Sequence, residues 1–284
     1  MAVASPPSTH LPIWNDAARR DVPTLMEKPF VLSGELEQVE RSPSARGRLM
    51  PDFNRRFWPA FQAMRELCVS GRLGDLESAD FILRVNIEPW CSVTRHRLSP
   101  NEGGAIHDLG SSQLDLIQYV LGEKIVSLRA RTSSIRWPDD HVRITALLKG
   151  GFRVGCELGY AKRNCESVTI VGSRASVRLD NPNARVHVHT RGSRANAVAD
   201  WLGGALALGY RAVRRQRSML RYTVHASFAE FFDALYSRRP FSPNFEDAIE
   251  NAVCLEAAMR SVTEGRFVEV NATESTGDVC QEQA

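Results

Sequence analysis

The chain has 284 residues, 43% of them hydrophobic and 24% charged, the make-up of a soluble globular protein with room for one large domain or two ordinary ones. Its formal net charge of +3 is small for that length and argues against a dedicated nucleic-acid binder. No apolar run reaches the length of a membrane span, the nearest being 201–210, and MAVASPPSTH lacks the basic start and apolar core of a signal peptide, so a cytoplasmic location and no membrane partner are expected.

In chain order, a short apolar strand opens the sequence and turns at Ser5-Pro6-Pro7. A helical stretch over 13–20 leads to a second strand, Pro23 to Met26, which Pro29 ends. Ser33 with Glu35 reads as the N-cap and acidic first turn of another helix. Gly47 to Met50 reads as a third strand, and an amphipathic helix follows from Pro59 to a stop at Gly71. This alternation of strand and helix predicts a parallel sheet over residues 1–74.

From Asp80 the pattern changes. FILRVNIEPW reads as a strand, and a helix is predicted from about Ala105 to Leu121. Six short β-rich runs come next, separated by Gly, Asp and Asn, and predict one broad, mostly antiparallel sheet. After a segment without clear periodicity at 193–222, amphipathic helices are predicted over 226–237 and 245–264, the second ending at Gly265. RFVEV is the last strand, and the polar tail 271–284 has a disordered composition. The fold class is thus α/β: a partial parallel unit to residue 74, then an α+β domain over 75–270 built on a large antiparallel sheet.

Several residues stand out. Of 36 basic residues only Lys28, Lys124, Lys149 and Lys162 are lysines. Lys28 lies just past the carboxyl end of a strand, where open α/β sheets present groups to ligands, and Lys, unlike Arg, can lose its proton when desolvated. In GGAIHDLGSSQLDLIQYVLGE, a step of about 100° per residue puts Asp108, Ser112 and Asp115 on one stripe, opposite Ile106, Leu109, Leu116, Ile117 and Val120. Six scattered cysteines with no C-x-x-C pair read as reduced thiols. His187 and His189 share a strand face but lack a third ligand, so no metal is expected. The Arg211 to Arg221 run reads as a solvated helix face, with a site for a phosphorylated or nucleotide-linked sugar as the alternative.

EKPF, then RRFWP with a helix ending SGRLGDL, then the helix GGAIHDLGSSQLDLIQYVLGE, then VTIVGSRASVRLD and the closing EAAMRSVTEGRFVEV resemble, in that order, the Gfo/Idh/MocA family of nicotinamide-dependent oxidoreductases. The resemblance covers roughly residues 1–270. It implies a Rossmann domain followed by an α/β domain whose open sheet serves in homo-oligomers, NAD or NADP as cofactor, and a sugar, nucleotide-sugar or cyclitol substrate. It implies that the loop with Pro7 and His10 lies under the dinucleotide, and that Glu27, Lys28 and Pro29 stand by the nicotinamide, with Arg56 near by. Lys28 and Asp108 take the catalytic positions, and Asp115 a substrate position. In the family's D-x-G-x-H pattern Asp108 and Gly110 match, while Ser112 stands where the His would be.

Two departures bear on activity. No G-x-G-x-x-G occurs anywhere in the sequence, so the first half of a Rossmann domain, on the order of 60 residues, is expected to be missing by truncation or a misplaced start. Ser112 cannot act as a base near neutrality, which leaves a desolvated Lys28 as the better proton carrier; His107 would point about 100° away. Two readings therefore stay open: an oxidoreductase, or a non-catalytic relative that binds a substrate or partner.

Overall fold

Three short parallel strands begin the chain: β1 (Ala2–Val3), β2 (Thr24–Met26) and β3 (Leu49–Pro51), ordered β1-β2-β3. The computed structural model describes residues 1–90, 95–99, 102, 104–180, 185–190 and 219–270. All residues of β2 and β3 are buried, as both faces of a parallel sheet are covered. Val3, Met26 and Leu49 face a cluster with Leu11 and Trp14 of α1 (His10–Arg19), while Leu25 and Met50 face Phe231 and Ala234 of a later helix, α5 (Met219–Tyr236). A short helix, α2 (Pro43–Arg46), precedes β3, and α3 (Pro59–Val69) leads out of the unit.

The second layer is one eight-stranded sheet. Its members are β4 (Leu76–Val85), β5 (Ile125–Ser133), β6 (His141–Leu148), β7 (Arg153–Tyr160), β8 (Cys165–Gly172), β9 (Ala175–Asp180), β10 (Arg185–Thr190) and β11 (Val268–Glu269). They run in the order β10-β9-β8-β4-β7-β6-β5-β11, and every neighbouring pair is antiparallel except β4 with β7. The period-2 burial of β6 and β8 leaves one face apolar. Against it pack α3 and α4 (Ser111–Leu121), whose Leu114, Leu116, Ile117 and Val120 are fully buried. The mostly antiparallel sheet and the parallel unit are those expected from the sequence.

The last helix, α6 (Phe245–Glu264), joins the two layers. Phe245, Ala248, Ile249, Ala252 and Val253 pack with the parallel strands, and Cys254, Leu255, Ala257 and Ala258 pack with the large sheet. Asn244 and Asp247 form a capping box at its start, and Gly265, at φ +69°, adopts the left-handed conformation that ends it.

Three local expectations are corrected. Ser33 and Glu35 do not open a helix: Glu35 reaches back to accept from the Leu32 N–H at 2.8 Å, and only a 3-10 turn over Leu36–Gln38 follows. The strand expected from Phe81 starts at Leu76 and stops at Val85, where Asn86 turns the chain by accepting from the Glu88 N–H at 3.0 Å. The helix expected from Ala105 is not regular, since Ile106–Gly110 forms a π-helical turn before α4. The segments 191–218 and 271–284, including most of the arginine run, lie outside the described residues.

Candidate active site

The carboxyl ends of β1 and β2 carry adjoining loops, and a buried side chain ties them together. His10, fully buried, sets Nε2 3.0 Å from Ser5 O and Nδ1 2.8 Å from Pro29 O. Pro7 is buried at the start of the 3-10 turn Pro7–Thr9, which leads into His10. His10 thus latches the loop after β1 to the loop after β2, and both its ring nitrogens are taken by backbone. Glu27 and Lys28 lie on the rim so formed, with Glu27 Oε2 accepting from the Lys28 N–H at 3.1 Å.

Lys28 crosses from this rim to the π-helical turn. Its Nζ donates to Asp108 O at 2.5 Å and to Asp108 Oδ1 at 3.0 Å. A π turn displaces a backbone carbonyl from the i+4 ladder, and the Asp108 carbonyl here takes Lys28 and the Ser111 hydroxyl at 3.2 Å. The other carboxylate oxygen of Asp108 accepts from Tyr160 OH at 3.2 Å and lies 3.6 Å from Arg97 Nε. Burial alone would raise the Asp108 carboxyl, but the charges of Lys28 and Arg97 and the bonds from Lys28 and Tyr160 outweigh it, and the group is held below the ordinary carboxylate value. Burial first, and then the Asp108 charge, push the Tyr160 phenol up, so it stays protonated and donates. The Lys28 side chain keeps 19% of its surface open to solvent and that of Asp108 9%.

Further along the same helical run Asp115 meets Arg56. The Arg56 Nε lies 3.0 and 3.1 Å from the two Asp115 oxygens, and Nη2 donates to both Asp115 and Asp247, the latter at 2.9 Å. Tyr119 and Phe53 rings flank the guanidinium at 5.3 and 5.4 Å. The neighbouring Arg55 pairs with buried Glu166 of β8. Two arginines of one 3-10 turn, Asn54–Phe57, therefore fasten the parallel strands to α4, α6 and the large sheet.

Residues 61–178 match the GFO/IDH/MocA C-terminal domain family. Over that stretch the chain carries a domain of the Gfo/Idh/MocA type. It is 25% identical to an inositol 2-dehydrogenase of Rhizobium meliloti (strain 1021), over 95% of this chain and 80% of that protein. It is 24% identical to a D-apiose dehydrogenase of Rhizobium rhizogenes, over 95% of this chain and 79% of that protein. Its fold matches the WlbA dehydrogenase from Bordetella pertussis, solved with NADH and UDP-GlcNAcA, at a TM-score of 0.78 and 15% identity, over 95% of this chain and 79% of that one.

Of the residues singled out from the Gfo/Idh/MocA resemblance, the structure brings Lys28 and Asp108 together and sets Glu27, Pro29 and the latch of His10 beside them. Arg56 and Asp115 form a separate cluster, and Ser112 lies half-buried on α4 between the two. His107, 3% exposed, sets its Nε2 3.1 Å from Ser33 Oγ. Tyr160 and Arg97 were missed: each lies far from Asp108 in sequence or on an unrelated element, and no local pattern marks them. Asp52 was also missed, although an acid directly after a parallel strand is itself a signal. Among the described residues no group of three or more His, Cys, Asp or Glu is placed to hold a metal, and no helix is long and apolar enough to cross a membrane.

Proposed function

We propose that the protein is an NAD- or NADP-dependent oxidoreductase acting at a hydroxyl or carbonyl of a sugar, nucleotide-sugar or cyclitol, with Lys28 and Asp108 at the substrate oxygen. One observation carries the reading: a partly open Lys28 ammonium is clamped on an ionised Asp108 at the carboxyl ends of parallel strands, the place where open sheets bind ligands. The inositol and apiose dehydrogenases among its relatives support a polyol substrate.

The rim of Pro7, Glu27, Lys28 and Pro29 suits the nicotinamide end of the cofactor, because two strand ends converge there around one partly open amine. A bound nicotinamide would accept or give the hydride. Residues that would cradle its pyrophosphate are not among those described. Lys28 Nζ has one of its three hydrogen atoms to spare for a substrate oxygen after bonding Asp108 twice. Asp108 fixes that ammonium through both its carbonyl and its carboxylate, and Tyr160 and Arg97 fix Asp108 in turn. The Ser112 hydroxyl can pass a hydrogen bond to the ligand without serving as a base.

Ser112 in the place of the family's His favours a second reading, a binding subunit that performs no chemistry. The two are separated by assaying NAD- and NADP-linked oxidation of a panel of polyols. The oxidoreductase reading expects turnover that Lys28→Arg lowers by about 10²- to 10³-fold with the thermal midpoint nearly unchanged. Saturable polyol binding with no turnover, and none restored by Ser112→His, would leave the binding subunit.

A further inference from the structure

An acidic pair, Glu27 and Asp52, lies at the strand ends beside the Lys28 and Asp108 contact. The parallel register sets Met26 beside Pro51, and the ladder continues one step, with the Asp52 N–H donating to Met26 O at 2.7 Å. Glu27 and Asp52 therefore emerge side by side on the face covered by α5, the face on which Leu25 and Met50 meet Phe231. Asp52 is 4% exposed and its Oδ1 has no hydrogen-bond partner. Ser227 of α5, fully buried, and Asn54 complete the surroundings of Asp52.

Asp52 is buried and Glu27 half-buried, and a second carboxylate at its side disfavours ionisation of the buried one unless a cation or a proton comes between them. The cations of the neighbouring loops are committed: Lys28 to Asp108, Arg55 to Glu166, Arg56 to Asp115 and Asp247. Glu27, just past β2, is the charged group that faces Asp52; its own turn contributes Asn54 and α5 contributes Ser227, both uncharged.

We propose that Glu27 and Asp52 share one proton and that this proton positions Lys28. With Asp52 protonated and donating to Glu27, the Glu27 carboxylate keeps its hold on the Lys28 N–H, and the loop holds Lys28 against Asp108. Burial, and then the Glu27 charge, raise the Asp52 carboxyl to about 7. Loss of the proton above that value sets two negative charges against each other and loosens the Lys28 loop. Asp52 is thus a positioning residue, acting through Glu27. The inference deepens the reading of Lys28 as the ligand-facing amine, yet its test needs no turnover.

The chain has four lysines, so the acylation rate of each can be followed by peptide mass spectrometry across neutral pH. With Lys124, Lys149 and Lys162 as internal references, Lys28 in the unaltered protein is expected to step up several-fold in labelling near pH 7. In Asp52→Asn, which holds the pair in its neutral-partner form, the step should disappear and Lys28 should stay slow. Glu27→Gln, which removes the opposing charge, should also abolish the step near pH 7. A step of the same size and midpoint in both variants overturns the proposal. So does a step that Mg²⁺ or Ca²⁺ added to chelator-treated protein abolishes, since a cation and not a proton would then join the pair.

Discussion

Asp108 and Asp115 lie two turns apart on one helical run, both almost wholly buried and both paired with a cation, yet they sit in opposite electrostatic settings. Around Asp108 two cations and a phenol converge on one carboxylate, which is held below its ordinary value. Around Arg56 two carboxylates share one guanidinium, and full burial raises Asp115 to about 6 despite the pull of Arg56. The Asp108 cluster has positive charge and donor capacity left over, and its Lys28 is partly open. The Asp115 cluster has two carboxylates for one guanidinium, no positive charge in surplus, and aromatic rings beside it. The first can receive a ligand oxygen; the second is a clamp between layers.

This contrast is broken most strongly at the clamp. Arg56→Ala leaves Asp115 buried without its cation, with Asp247 near by, and should destabilise the fold by about 3–5 kcal/mol, read by urea unfolding. A loss as small as that of an exposed pair would mean that the cluster opens to water. Asp108→Asn comes next: it should lower any NAD- or NADP-linked activity, or the affinity for nucleotide and polyol, by about 10²-fold or more, since Lys28 loses its anchor. Equal ligand affinity in Asp108→Asn and the unaltered protein would place the site elsewhere.

The smallest effect is at Tyr160. Tyr160→Phe should cost about 0.5–1.5 kcal/mol, the range of a single hydrogen bond. It also sharpens the pH behaviour. The folded Asp108 value is depressed, so its contribution is present above the ordinary carboxylate value of 3.8 and is lost as pH falls through the folded value. Removing the Tyr160 donor raises that folded value, so acid unfolding of Tyr160→Phe should begin at a higher pH. An unchanged acid midpoint would show that Tyr160 does not hold the Asp108 charge.

The layers of the fold are legible in the sequence because each rests on a local period. β6 and β8 alternate, and the 245–264 helix carries an acidic start and a Gly stop. Lys28 and Asp108 can be picked out singly, one as a Lys past a strand end, the other on a polar helix stripe. Their company is not legible. The Tyr160 contact spans 52 positions and joins a strand of the large sheet to the π turn. The π turn itself leaves no mark in a pattern of about 100° steps, and it carries the Asp108 carbonyl that Lys28 meets. Asp52 reads as an ordinary acid in a turn until the register of β2 and β3 sets it beside Glu27. Arg56 and Asp115 find each other across 59 positions, a pairing that no spacing rule reaches.

The most direct test of the central claim, that the Lys28 and Asp108 cluster is the ligand site, is a fluorescence titration with NADH and NADPH. It compares the unaltered protein with Lys28→Arg, both checked for equal thermal midpoints. Saturable binding that Lys28→Arg weakens tenfold or more is the expected result. Binding of equal strength in both proteins, or none up to millimolar nucleotide, would contradict it.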